Sequence, residues 1–193
     1  MSKVKEVKKI ETEPNLKVKY FNEVLPELKK SFGFHNDMEA PRISKIVVNV
    51  GIGKINTNEN GVKHILADLE KVTGQKPVVT LAKKAIAGFK LKEKDKVGVK
   101  VTLRGNRMWH FLERLVVATL PRIKDFQGIP VKNFGQTGHL SLGLKEHFVF
   151  PEINPDETDF IFGLQVCITT TARNQEQGSF LLKKLGFPLN LNS

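Results

Sequence analysis

A chain of 193 residues, 40% hydrophobic and 26% charged, is long enough to bury a substantial core and has the balance of a soluble globular protein, which argues against global disorder and against a membrane protein. Lys and Arg number 31 against 20 Asp and Glu, so the net charge is +11 and the pI is near 9.7. That excess points to a polyanionic partner, nucleic acid first and an anionic membrane surface second.

Met1 to Lys19 hold six lysines, few apolar residues and Pro14, and are expected to form a flexible basic tail. The tail lacks a signal-peptide core, and Glu6, Glu11 and Glu13 without an Arg make a poor transit peptide, so a cytoplasmic location is expected. From Tyr20 to Phe34, the spacing of Phe21, Leu25, Leu28 and Phe32 predicts a helix that Pro26 kinks or begins and Gly33 ends. Ile43 to Val50 predict a strand with Ser44, Ile46, Val48 and Val50 on one face and Ile43, Lys45, Val47 and Asn49 on the other. GIGKINTNENG follows as a loop. Val62, Ile65, Leu66, Leu69 and Val72 predict a helix closed by Gly74, and Pro77 to Leu81 a short strand.

Val97 to Arg104 alternate most strictly, with Val97, Val99, Val101 and Leu103 apolar and Gly98, Lys100, Thr102 and Arg104 on the other face. A helix from Asn106, striped by Met108, Phe111, Leu112, Leu115 and Thr119, stops before Pro121. Lys124 to His139 read as loop. Leu140 to Phe150 and Phe160 to Thr171 supply two more strands, the second with Phe160, Phe162, Leu164, Val166 and Ile168 on one face. Asn174 and Gln177 stand at capping-box spacing before a last helix that Gly186 and Pro188 end.

The order α, β, α, β, β, α, β, β, α contains a split β-α-β arrangement. The fold class is therefore α+β: an open antiparallel sheet with helices on one face, ferredoxin-like or RRM-like. Helices would cover Val48, Val101 and Val166, leaving Lys45, Asn49, Lys100, Thr102, Arg104, Gln165 and Thr169 as the natural binding face. No internal repeat and no long neutral linker divide the core, so the chain beyond the tail is expected to form one domain.

Seven lysines lie between Lys83 and Lys100, interrupted by Gly88, Phe89, Glu93 and Asp95. Lysines release counterions when they meet phosphates, and an exposed Phe89 offers a surface for stacking on a base or ribose; the bland alternative is a solvated hairpin. Asn49, Gln75 and Thr102 can donate and accept hydrogen bonds as reading RNA requires, although such residues are common at surfaces and turns. GIGK lacks the rest of a Walker motif and reads as a turn. Cys167 is alone, so no internal disulfide can form, and the five histidines show no zinc spacing. Neither metal nor cofactor is expected. His64, His110 and His147 have no nucleophile or carboxylate at a diagnostic spacing, and Trp109 and most phenylalanines fit core positions. An enzyme centred on GIGK or Cys167 would need an acid-base constellation that is not visible. A free nucleic-acid chaperone would explain the charge equally well.

ISKIVVNVGIG, TGQKPVVTLAKKAIAGFK, GVKVTLRGNRMWHFLERL, LPRIKDFQGI, FPEI and ITTTA occur in this order, and together they resemble the bacterial form of the large-subunit ribosomal protein L-five family over Tyr20 to Leu189. The resemblance implies a noncatalytic, cytoplasmic ribosomal component that binds 5S rRNA in the central protuberance, beside 23S rRNA and other 5S rRNA-binding ribosomal proteins. It carries 5S rRNA binding onto Asn49, Gln75 and Thr102; Lys76 and Arg104 are added here from charge and strand parity. It further implies that the loop matched by Lys83, Lys84, Gly88, Phe89 and Lys90 approaches the elbow of P-site tRNA. The loop matched by Gly128, Val131, Lys132, Phe134, Gly138 and His139 would form an intersubunit bridge to a small-subunit head protein. Mobility of that bridge loop is expected from Gly128, Gly135 and Gly138.

Overall fold

The structure, a computed structural model, describes residues 14–53, 59–89, 91–124, 126–154 and 161–190. Its regular elements in chain order are α1 (Asn15–Lys19), α2 (Leu25–Phe32), β1 (Ile43–Gly51), α3 (Glu59–Thr73), β2 (Val78–Leu81), β3 (Lys96–Leu103), α4 (Gly105–Arg114), β4 (Ile129–Pro130), β5 (Leu140–Leu144), β6 (Leu164–Thr170), α5 (Gln175–Lys184) and β7 (Leu189–Asn190). Two compact units result, one of Ile46–Leu103 with Leu142–Cys167, the other of Met1–Lys45, Arg104–Ser141 and Ile168–Ser193.

Five strands form one sheet in the order β2-β3-β1-β6-β5, and β3 runs antiparallel to both β1 and β2. β1 and β2 are therefore parallel to each other with β3 inserted between them, which is the split β-α-β arrangement of the ferredoxin-like plan. The α+β reading of the sequence holds.

In the Ile46–Leu103 unit the physical basis is alternation. Ile46, Val48, Val50, Val99, Val101 and Leu103 are all buried, and α3, lying against β3, buries Val62, Ile65, Leu69 and Val72. The opposite parity stays accessible except at the buried Gly98: Asn49 and Thr102 are half-buried, and Lys100 and Gln165 are exposed. Alternation fails at the start of β1, where Ile43 is buried and Ser44 exposed, the reverse of the expected parity; strict alternation begins at Ile46. Gly51 belongs to the strand, and α3 begins at Glu59, so the predicted loop is shorter than GIGKINTNENG at both ends. Lys54 of GIGK lies outside the described residues.

In the other unit the basic tail yields to structure before Lys19. Asn15–Lys19 are helical, Leu16 is buried, and Asn15 Nδ2 donates to Glu113 Oε1 over 2.9 Å, which anchors a segment expected to be free. A π-helical turn, Tyr20–Val24, joins α1 to α2 just ahead of Pro26. Proline removes a backbone donor and crowds the carbonyl four residues earlier, and a wider turn accommodates both. The same device recurs at Leu115–Thr119 before Pro121, which sits inside a 3-10 turn rather than past the helix end. Tyr20 is buried against Trp109, with ring centroids 5.8 Å apart, and its hydroxyl donates to the Pro41 carbonyl over 3.1 Å. Burial raises the phenol pKa above its ordinary value.

The expected capping box of α5 is altered. Asn174 makes no side-chain cap bond, and Gln177 Oε1 instead accepts from Arg173 N over 3.1 Å. The strand expected from Leu140 to Phe150 ends at Leu144, and His147–Val149 form a 3-10 turn. The following strand begins at Leu164 rather than Phe160, which lies outside the described residues.

Candidate nucleic-acid interface

Register brings the open-face residues together. Across the β1–β3 pair Asn49 stands opposite Lys100 and Val47 opposite Thr102, while Val78 of β2 flanks Lys100 from the other side. Asn49 and Thr102 are thus diagonal neighbours on one face. Gly98 lies buried beneath two of its side chains: a Cβ there would sit 3.0 Å from Thr80 Oγ1, 3.1 Å from Val50 O and 3.7 Å from Asn49 Oδ1. Thr80 and the exposed Val78 are members of this surface that the sequence reading did not single out, because placing them needed the β2–β3 register.

Gln75 reaches the same place by another route. It follows Gly74, whose φ of +64° closes α3, and its Nε2 donates to the Thr102 carbonyl over 3.3 Å. Lys76 is exposed beside it. Arg104 is exposed and extended as the residue that precedes α4; it belongs by chain to the other compact unit.

The lysine-rich segment is a hairpin joining β2 to β3. Ala82 and Lys94 tie its base through Ala82 N to Asp95 O (2.8 Å) and Lys94 N to Ala82 O (2.9 Å), and Ile86 pairs with Leu91 nearer the tip. Asp95 Oδ2 accepts from Lys92 N over 2.7 Å and Lys94 takes φ +69°, so the backbone is held while the side chains stay outside. Lys83, Lys84 and Gly88 are exposed, and Phe89 is 80% exposed, as its glycine-lysine surroundings predict. Lys90 lies outside the described residues.

The glycine-bearing loop of 128–139 is built differently. Ile129 is buried and pairs in parallel with Leu189, Gln175 Nε2 donates to Val131 O over 3.0 Å, and Thr170 Oγ1 donates to Gly138 O over 3.0 Å. His139 is half-buried and its Nδ1 accepts from Thr170 N over 3.3 Å. Gly138 has φ +73°, and a Cβ there would lie 2.8 Å from Ala172 Cβ. Gly128 has φ +90°, and its Cβ would lie 3.2 Å from Pro188 O. These two glycines meet conformational and packing demands, in place of the mobility expected of them. Phe134 and Gly138 are buried, so neither offers a contact surface; Lys132 is exposed and Val131 half-buried.

His147 is fully buried. Its ring stacks on Phe162 at 3.9 Å, Nδ1 accepts from Phe162 N over 3.4 Å, and Nε2, without a hydrogen bond, lies 3.7 Å from Asp68 Oδ2. Burial pulls the imidazole pKa below its ordinary value, against the opposing pull of the Asp68 carboxylate. Such a histidine is a structural residue. Among the described residues no His, Cys, Asp and Glu side chains group as a metal site would require, and no helix is long and apolar enough to cross a membrane.

Comparison with known proteins gives the family. Residues 36–92 match the family model described as ribosomal protein L5, and residues 96–189 match the model for the C-terminus of the same ribosomal family. A large ribosomal subunit protein uL5 of Shewanella piezotolerans is 49% identical over 170 residues, covering 88% of this chain and 95% of that protein. The proteins of the same name from Streptococcus uberis and Streptococcus thermophilus are 48% and 47% identical over 173 residues, each covering 90% of this chain and 96% of the relative. Identity of this extent, running through both matched regions, shows that the chain belongs to the ribosomal protein L5 family.

Proposed function

We propose that this protein is a noncatalytic component of the large ribosomal subunit that binds 5S rRNA through the open face of its sheet, with Asn49, Gln75 and Thr102 reading the RNA and Lys76, Lys100 and Arg104 meeting phosphates. The observation that carries this is that Asn49, Lys100 and Thr102 share one accessible strand face, with Gln75 tied to the Thr102 carbonyl beside it. These groups combine cations for phosphates with amides and a hydroxyl suited to ribose hydroxyls and splayed base edges, the features by which structured RNA is recognised. The family is structural rather than enzymatic, so the work is binding and positioning.

Residues 20–189, with the anchored α1 before them, carry RNA binding in this reading. The lysine hairpin, through Lys83, Lys84, Gly88, Phe89 and Lys90, approaches the elbow of P-site tRNA; exposed cations around an exposed ring support that assignment. Lys132 and its half-buried neighbours Val131 and His139 face a small-subunit head protein, and 23S rRNA and the other 5S rRNA-binding proteins complete the surroundings. Gel-shift titration tests the central claim. The protein should prefer 5S rRNA to an unrelated structured RNA, and Asn49→Ala and Thr102→Ala should each cost about 1 to 3 kcal/mol of binding, the range for an unmet hydrogen bond. Equal affinity for both RNAs would refute specific recognition.

A further inference from the structure

The end of α3 is shaped by Thr73, a buried residue that no sequence motif singles out. Its hydroxyl donates to Leu69 O over 2.6 Å, with Gln75 O a second acceptor at 3.1 Å, and it lies 3.4 Å from the Gln75 N–H as acceptor. One hydroxyl therefore fixes the backbone on both sides of the left-handed Gly74 and sets where Gln75 leaves the helix.

What Gln75 meets there is a backbone vacancy in the sheet. Val78 stands opposite Lys100, so continuing that antiparallel register would place residue 76 opposite Thr102. β2 has not yet begun at that point, so no ladder bond from residue 76 reaches the Thr102 carbonyl. The side-chain amide of Gln75 supplies the missing donor to Thr102 O. Because a carbonyl can only accept, the NH2 end must face the strand, which fixes which way round the amide stands. Its remaining capacity is one N–H bond and both lone pairs of Oε1, chiefly that of an acceptor.

We propose that Thr73 is a positioning residue for RNA recognition, holding Gln75 so that Oε1 selects hydrogen-bond donors on the nucleic acid: ribose 2′-hydroxyls or exocyclic base amines. The assignment rests on the reading of the open face as the 5S rRNA surface. It deepens that reading by giving Gln75 a polarity and a support.

The test uses the full chain and 5S rRNA. Gln75→Ala should weaken binding about tenfold, the equivalent of one lost hydrogen bond. Thr73→Val, which keeps the shape and removes the hydroxyl, should weaken it in the same direction, and Thr73→Ser should restore wild-type affinity. In the Gln75→Ala background Thr73→Val should add nothing further, because its effect travels through that side chain. An equal loss in both backgrounds would make Thr73 merely structural and overturn the proposal, as would wild-type affinity of Thr73→Val beside a weakened Gln75→Ala. Wild-type affinity of Gln75→Ala would remove Gln75 from the site. Loss of 5S preference by the unaltered protein would instead refute the underlying reading. RNAs carrying single 2′-deoxy or inosine substitutions at protein-protected nucleotides separate the two donors: the Gln75→Ala penalty should vanish on the one that lacks its partner. A full penalty on every such RNA would overturn the acceptor role.

Discussion

The hairpin of 82–95 carries one glycine and five lysines, the loop of 128–139 three glycines and one lysine, and glycine in either suggests an open, mobile turn. The first is held by backbone bonds at its base and leaves Lys83, Lys84, Gly88 and Phe89 in solvent. The second is pinned by side chains and close packing: Ile129 and Phe134 are buried, and Gly138 accepts a hydrogen bond from Thr170 where no Cβ would fit. A glycine in one loop faces open space, and in the other it is a packing residue. The lesson is that glycine in a loop signals flexibility only where nothing else needs its missing side chain.

Paired substitutions can break this contrast. Gly138→Val, at a positive φ and against Ala172 and Asn174, should cost about 4 kcal/mol or more. Gly88→Val, with no atom within 4 Å of its Cβ, should stay within about 0.5 kcal/mol. Equal midpoints in urea unfolding would show that the tight approach of Gly138 is dispensable. A second pair compares aromatics. Phe134→Ala should lose about 3 kcal/mol by emptying a buried site, whereas Phe89→Ala should be near neutral for stability and show its effect only in tRNA binding to the assembled ribosome.

Acid sharpens the comparison through the unit that carries the hairpin. Unfolding frees His147 to titrate near 6.5, whereas burial holds it lower in the folded protein. Its neutral form is thus favoured by folding: the contribution is fully present above the unfolded pKa and is lost as pH falls through the folded one. Thermal melts at pH 7.5 and 5.5 should therefore show a larger drop for the wild type than for His147→Phe. Identical drops would mean that protonation at this site is tolerated in the fold.

The smallest effect belongs to the hairpin lysines. Lys83→Ala and Lys84→Ala should leave the melting temperature nearly unchanged, and each should reduce by about 1 the slope of log affinity against log salt for the RNA it contacts. An unchanged slope would take that lysine off the phosphate backbone.

Much of the molecule was legible because local periodicity and burial follow the same rule. Ile46 to Val50 and Val99 to Leu103 alternate in sequence and in burial, and Gly33 and Gly74 end helices in the left-handed conformation that favours glycine. The candidate RNA face was readable for the same reason, since Asn49 and Thr102 need only strand parity to be placed. Other features depend on partners distant in sequence. Nothing around Thr73 announces its hold on Gln75, and nothing in GQTGH tells that Gly138 abuts α5 near Gly178. Leu16 lies in a stretch whose composition reads as disordered, and it is buried because the segment docks by α4.

The sequence by itself determined the charge, the alternating strands, the helix ends and the family, because each is written in neighbouring residues or in blocks along the chain. Only the tertiary structure decided which glycines are packed, which way the Gln75 amide faces and why the His147 pKa is lowered. Those properties arise where the chain meets itself again, and there the free energy depends on the partner atom as much as on the residue.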